Sequence, residues 1–203
     1  MPSPPELQTP ALEDHVRVYD DAFPVSLADG LRDLVDKTPT GKHDAAWRRC
    51  IEFMRVEDTP LWQDFRSAIS LAFLQYRADV GATYELARVT RIESTNIFRY
   101  DVQADPDAAH HFAVHHDAWD APSATRTVSV IAYLNNVDEG GETDFPRLGL
   151  AIPPRRGRVL IFPSSYLFTH AGQPPRSQGK YVAVTWLHVP GGVYRALPLF
   201  EGS

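Results

Sequence analysis

From residue 85 onward, apolar and polar positions fall into short runs rich in β-branched and aromatic residues. ELARVTRIE, TNIFRY, RTVSVIAYL, GRVLIF and YVAVTWLHV each predict a strand. EGG, PRLG, PPRRG and RSQG separate them as turns. The first part of the chain is patterned differently. HVRVY alternates as a short strand. Ser26 can cap a helix running to about Lys37, with Leu27, Leu31 and Leu34 on one face. Residues 38–50 are polar and irregular, and IEFMRV at 51–56 alternates as a strand. Pro60 suits the first turn of a long helix to about Ala78, with Trp62, Phe65, Ile69 and Phe73 turned inward. Residues 1–12 form a Pro-rich polar arm, expected to be disordered, and 13–203 a single domain without internal repeats. Strands following initial helices predict a mainly β fold with flanking helices, its core a double-sheet jelly roll.

Composition narrows the function classes. A net charge of −6 and a pI near 5.7 argue against broad binding to nucleic acid, which needs basic patches. The local cluster Arg155, Arg156 and Arg158 is expected to be a solvated turn. Cys50 is the one cysteine, so no internal disulfide forms, and a reducing, cytoplasmic setting is expected. A buried structural thiol suits it better than a nucleophile. MPSPPELQTPALEDH has neither a cationic start nor an apolar stretch, and no run nears the roughly 18 apolar residues of a membrane span. Ser164 and Ser165 lie outside any G-x-S-x-G, and neither a P-loop nor a G-x-G-x-x-G occurs.

The candidate chemistry lies in AVHHDAWD and YLFTHAGQPP. His115 and Asp117 form an H-x-D pair; alternate residues of a strand share a face, so both can aim at one point. His170, on a later strand, can supply a third ligand. Two imidazoles and one carboxylate on one side of a metal leave positions open, which suits Fe(II) chemistry with O2. An H-x-D alone is a common chance match. His116 should turn away from the metal, to the entrance or the surface, and His110 and His111 read as loop residues.

The segments that follow carry the reading further. In order they are YLN at 133–135, GGETDFP at 140–146, PRRGRVLIF at 154–162, THAGQP around His170, and GKYVAVTW at 179–186. With the H-x-D pair, this series resembles the catalytic core of the prolyl-4-hydroxylase-like branch of the Fe(II)/2-oxoglutarate-dependent dioxygenases, over roughly 94–189. VRVYDDAFPVSLADGLRDLVDK at 16–37 resembles the family's N-terminal strand and helix. The resemblance implies a double-stranded β-helix (jelly-roll or cupin-like) core. It implies Fe(II) on His115, Asp117 and His170, and 2-oxoglutarate with its far carboxylate gripped by Lys180 and met by the Tyr100 hydroxyl. It further implies Arg126, Trp186 and His116 near the substrate. Two spans depart from the usual pattern: Tyr100 to His115 is long, and Asp117 to Arg126 is short.

The implied activity consumes O2 and 2-oxoglutarate, yields succinate and CO2, admits ascorbate as a reductant, and hydroxylates an unactivated C–H bond. Desaturation, epoxidation or cyclisation on the same cofactors stays open, as does a non-catalytic binding module on the same fold. The expected partner is a small molecule, an amino acid or a prolyl-type peptide, with neither nucleic acid nor membrane. The short 117–126 segment leaves little room for a large lid and favours a small molecule. Oligomeric state is left open.

Overall fold

The computed structural model describes residues 11–37, 39–53, 59–82 and 86–189. Most of the expected N-terminal arm, and the end of the strand expected at 51–56, lie outside these residues. Helix α1 spans Val25–Lys37. The Pro24 carbonyl accepts from the amides of Leu27 and Ala28, so Ser26 sits inside the first turn instead of capping it. Leu27, Ala28, Leu31 and Val35 are buried, whereas Leu34 is only half-buried, so the inward face is rotated from the one expected. Helix α2 spans Pro60–Asp79. The Thr59 side chain caps it by accepting from the Trp62 amide at 3.1 Å. Phe65, Ile69, Ala72, Phe73 and Tyr76 form its buried face. No helix among the described residues is long and apolar enough to cross a membrane.

The described residues form twelve strands: β1 Arg17–Tyr19, β2 Pro39–Ala45, β3 Arg48–Phe53, β4 Arg91–Ile92, β5 Asn96–Tyr100, β6 His111–His115, β7 Arg126–Tyr133, β8 Thr143–Phe145, β9 Leu150–Ile152, β10 Val159–Pro163, β11 His170–Gly172 and β12 Lys180–His188. They form one antiparallel sheet in the order β1-β10-β7-β12-β5-β3-β6-β11-β8-β9, with β2 on β3 and β4 on β12. The sheet curls into a half-barrel with the two helices packed on it. This is the mainly β architecture with flanking helices that the strand pattern predicted, and the double-stranded β-helix that the resemblance implied.

Period-two alternation divides the core between the two faces. Val128, Val130 and Ala132 of β7, with Val159 and Ile161 of β10, pack toward the helices. Ile131, Tyr133, Leu160 and Phe162 face the opposite way, into the concave side, with Phe98, Tyr100 and Val182. Strands β7 and β10 are therefore apolar on both faces.

Three expectations are corrected. Of the stretch 38–50 expected to be irregular, residues 39–50 supply most of the β2–β3 hairpin, and residue 38 lies outside the described residues. Its polar side chains carry little strand signal. The hairpin is held because β3 pairs with both β5 and β6, so the ladder supplies what side-chain burial does not. ELARVTRIE contracts to β4, because Leu86–Arg88 turn, with the Val89 amide donating to the Leu86 carbonyl. Arg158 is buried, not a solvated turn residue. Its Nε and Nη2 donate to the two Asp20 oxygens at 2.7 and 3.0 Å, and Nη1 donates to the Pro153 carbonyl. The guanidinium holds the Asp20 carboxyl below its ordinary range and ties β10 to the end of β1.

The fully buried Phe65 packs edge-on to Phe23, at 6.1 Å between ring centroids, where α2 meets the sheet. Phe65→Ala should lower the unfolding free energy by about 3–5 kcal/mol in urea titration. A loss under about 1 kcal/mol would contradict close packing of α2 on the sheet.

Candidate active site

Antiparallel pairing of β11 with β6 sets His170 opposite His115. Asp117 lies in a bend beyond the end of β6, so local chain reversal, not strand alternation, aims its carboxylate. The bend is fixed by the Ala118 amide donating to the Ser164 carbonyl and by Arg126 Nη1 donating to the Asp117 carbonyl at 3.2 Å. One ligand atom from each of His115, Asp117 and His170 lies within 4.8 Å of the others. His115 Nε2 is 3.4 Å from Asp117 Oδ1, and His170 Nε2 is 3.8 Å from Oδ2.

The far side of each group is already engaged. His115 Nδ1 lies 2.8 Å from the Ala113 carbonyl, and His170 Nδ1 lies 3.1 Å from the Phe168 carbonyl. A carbonyl only accepts, so each Nδ1 carries a proton, and in the neutral imidazole each Nε2 then presents a lone pair. Ser129 Oγ donates to Asp117 Oδ2 at 2.6 Å and is 2.8 Å from Ser164 Oγ. Burial by itself would raise the Asp117 carboxyl. The positive charge of His170 and His115 when protonated, with the Ser129 hydroxyl, outweighs it and holds the group below the usual carboxylate range. Burial pushes His170 down to about 4, against the pull of Asp117. A buried carboxylate and two imidazole lone pairs converging on one point form a donor set that could hold a divalent ion.

These residues open onto a cavity of about 620 Å³. Lys180, Val182, Val184 and Trp186, alternate residues of β12, line it, which places Lys180 and Trp186 on one face. Lys180 pairs across the ladder with Tyr100, and its Nζ lies 4.4 Å from the Tyr100 ring centroid. Lys180 is 2% exposed. It donates to the Gly141 carbonyl at 3.0 Å and to that of Gln173 at 3.5 Å. Gly141, at φ 75°, turns its carbonyl into this position. Among the described residues no carboxylate lies in ion-pair range of Lys180. Burial pushes it down to about 8, although Glu142 and Cys50 favour the charge. A buried ammonium held only by neutral carbonyls fits a carboxylate ligand.

Arg126 also lines the cavity, but its charge is matched. Nε and Nη2 donate to the two Glu93 oxygens at 2.9 and 2.7 Å, and the guanidinium carbon lies 3.6 Å from the Trp186 ring centroid. His188 Nε2 meets the same Glu93 carboxylate at 2.9 Å. Burial would raise the Glu93 carboxyl, but Arg126 and His188 hold it low. His116 lines the cavity wall, with Nδ1 buried and without a hydrogen bond. His110 and His111 are structural: the Asp101 amide donates to His110 Nδ1, and the His111 ring meets the carbonyls of Ala109 and Ala46.

Several lining residues were not singled out from the sequence. Trp47 and Arg48 lie in the stretch expected to be irregular, so no periodicity pointed inward. Phe112 stacks on the His115 ring at 3.6 Å between centroids. Its spacing of three before His115 hid it, because strand alternation would put the two on opposite faces. Ser129 was legible only as an inward polar position in RTVSV.

Residues 96–188 match the model of the 2OG-Fe(II) oxygenase superfamily. The chain is 30% identical over 130 residues to probable prolyl 4-hydroxylase 9 of Arabidopsis thaliana, covering 51% of this chain and 45% of that protein. It is 31% identical over 80 residues to the prolyl 4-hydroxylase alpha-1 subunit of Gallus gallus, covering 36% of this chain and 16% of that one. It thus spans less than half the length of these curated relatives. Among solved structures, the viral collagen prolyl hydroxylase of Paramecium Bursaria Chlorella virus-1, in its 2OG complex, superposes with a TM-score of 0.65 at 20% identity, covering 87% of this chain and 97% of that one. A Trichoplax adhaerens prolyl hydroxylase bound to a hypoxia inducible factor peptide fragment gives 0.67 at 15% identity, covering 87% and 84%. These two likenesses establish the fold.

Metal titration tests the cluster. The native chain should bind one Mn(II) per molecule, His170→Ala should lose at least about a hundredfold in affinity, and Ser129→Ala about tenfold. Unchanged Mn(II) affinity in His170→Ala would remove His170 from the ligand set.

Proposed function

We propose that this chain is a prolyl-4-hydroxylase-like 2OG-Fe(II) oxygenase, as the match of residues 96–188 and the likeness to prolyl 4-hydroxylases support, and that it hydroxylates an unactivated C–H bond of a small molecule, amino acid or prolyl-type substrate. When bound, Fe(II) and 2-oxoglutarate supply the oxidising chemistry, with O2 consumed and succinate and CO2 as coproducts. His115, Asp117 and His170 hold the ion through Nε2, a carboxylate oxygen and Nε2. Ser129 keeps Asp117 Oδ2 engaged and leaves Oδ1 for the metal. Lys180 receives the far carboxylate of 2-oxoglutarate, with Tyr100 beside it. Phe98, Phe112, Ile131 and Val182 keep water from the reacting atoms. Arg126 and Trp186, locked together by Glu93, shape the wall on the substrate side.

The observation that carries this reading is that one cavity joins the convergent donor set to a buried ammonium without a carboxylate. The short 117–126 segment favours a small substrate over a long peptide, unlike the peptide named in the Trichoplax complex. A single domain over 13–203 and a cytoplasmic setting belong to the same reading.

Iron-loaded protein, supplied with 2-oxoglutarate, O2 and ascorbate, should release succinate when a substrate set is screened. Product mass should rise by one oxygen; loss of two hydrogens would mark desaturation. Absence of succinate above a metal-chelated control would reject the oxygenase activity.

Lys180→Ala should weaken 2-oxoglutarate binding by at least about a hundredfold, because a buried carboxylate loses its partner, at a cost of roughly 3–5 kcal/mol. A change within about threefold would exclude Lys180 as the anchor. The pH dependence has a defined sign. The ammonium is present below about 8 and lost above it. Affinity for 2-oxoglutarate should therefore hold on the acid side and fall by about tenfold per pH unit above that point. In Lys180→Arg, whose charge does not titrate in this range, the alkaline fall should vanish. Persistence of the fall in Lys180→Arg would assign it to another group.

A further inference from the structure

Among the described residues three Lys or Arg side chains line the cavity: Lys180, Arg126 and Arg48. Lys180 faces the cosubstrate in the reading above, and Arg126 is neutralised by Glu93. Arg48 has neither arrangement. Its Nε and Nη2 are shut off from solvent and make no hydrogen bond. Its guanidinium carbon lies 4.3 Å from the Phe98 ring centroid and 4.8 Å from that of Phe112. Two aromatic faces steady a guanidinium and offset part of its lost hydration, but they satisfy none of its N–H groups. A shielded N–H without an acceptor is costly, and the guanidinium fork matches a carboxylate. We propose that Arg48 anchors the carboxylate of a small, largely apolar substrate acid.

The position suits that role. Arg48 pairs across the ladder with Phe112, whose ring stacks on the metal-facing His115. The guanidinium is thus separated from the candidate metal site by one aromatic side chain. An acid gripped there lays its carbon skeleton along Phe98, Ile131, Val184 and Trp186. The inference rests on the oxygenase reading in one respect. The two carboxylates of 2-oxoglutarate are then taken by the metal and Lys180, which leaves Arg48 for the substrate.

Calorimetry on the Mn(II)-loaded full chain, with and without 2-oxoglutarate, tests it. The probes are free aliphatic and aromatic amino acids and the corresponding simple carboxylic acids, each paired with its primary amide. At least one acid should bind about tenfold or more tightly than its amide. Arg48→Gln should bring that ratio within about threefold, with 2-oxoglutarate affinity unchanged to within about threefold. Acid–amide ratios near one across the set in the native chain would overturn the proposal without any variant. So would a ratio retained in Arg48→Gln, or a loss of 2-oxoglutarate affinity of about tenfold or more, which would make Arg48 a second grip on the cosubstrate. Succinate release by the iron-loaded chain is scored separately. Its absence strikes the oxygenase reading, whereas acid binding with the wrong preference strikes Arg48 alone.

Discussion

A carboxylate that is 7% exposed must be surrounded by groups that replace water, and Asp117 is such a group. Ser129 supplies one donor, and the two flanking imidazoles supply none while they are neutral. Both Nδ1 protons are given to backbone carbonyls, so both Nε2 atoms turn lone pairs toward the carboxylate. Lone pairs and an anion repel at such separations unless a cation or proton lies among them. Protonation of His170 is disfavoured by its burial. With neutral rings the cluster is therefore electrostatically incomplete by itself, and a cation held among the three groups would complete it. The β6–β11 register, the bend at Asp117 and the Ser129–Ser164 pair all serve to hold this arrangement.

The same incompleteness, with opposite sign, recurs on the cavity walls. Lys180 is buried against neutral carbonyls, and Arg48 stands against two rings with shielded N–H groups lacking acceptors. Arg126 provides the internal contrast. It has a bidentate carboxylate, a backbone carbonyl and a stacked indole, and so behaves as framework. A site with separate unmatched cations and a convergent donor set is arranged for a metal ion together with more than one anionic group. That distribution fits the proposed reaction, in which an acidic cosubstrate and a substrate would meet at one metal.

Much of this was legible in the sequence where a short-range pattern coincided with chemistry. Lys180 and Trp186 share a face because β12 is long and regular, and the two-residue period survives into the cavity. His115, Asp117 and His170 were legible by type and spacing. The reason their side chains converge was not, because Asp117 is aimed by a bend held by Ser164 and Arg126 from distant segments. Strands β8, β9 and β11 have three residues each, too few to show a period. The β2–β3 hairpin is polar and depends on β5 and β6 for its ladder. Arg48 was hidden for that reason. Arg158 was misplaced because its partner, Asp20, lies 138 positions earlier in the chain.

The central claim is that one metal ion and one 2-oxoglutarate share this cavity. Anomalous diffraction from crystals of the full chain grown with Mn(II) and 2-oxoglutarate, without O2, tests it most directly. The account predicts a single manganese peak within about 2.0–2.3 Å of His115 Nε2, an Asp117 carboxylate oxygen and His170 Nε2, with the far carboxylate of 2-oxoglutarate on Lys180 Nζ. A manganese peak away from these three atoms, or a far carboxylate seated elsewhere than on Lys180, would contradict it.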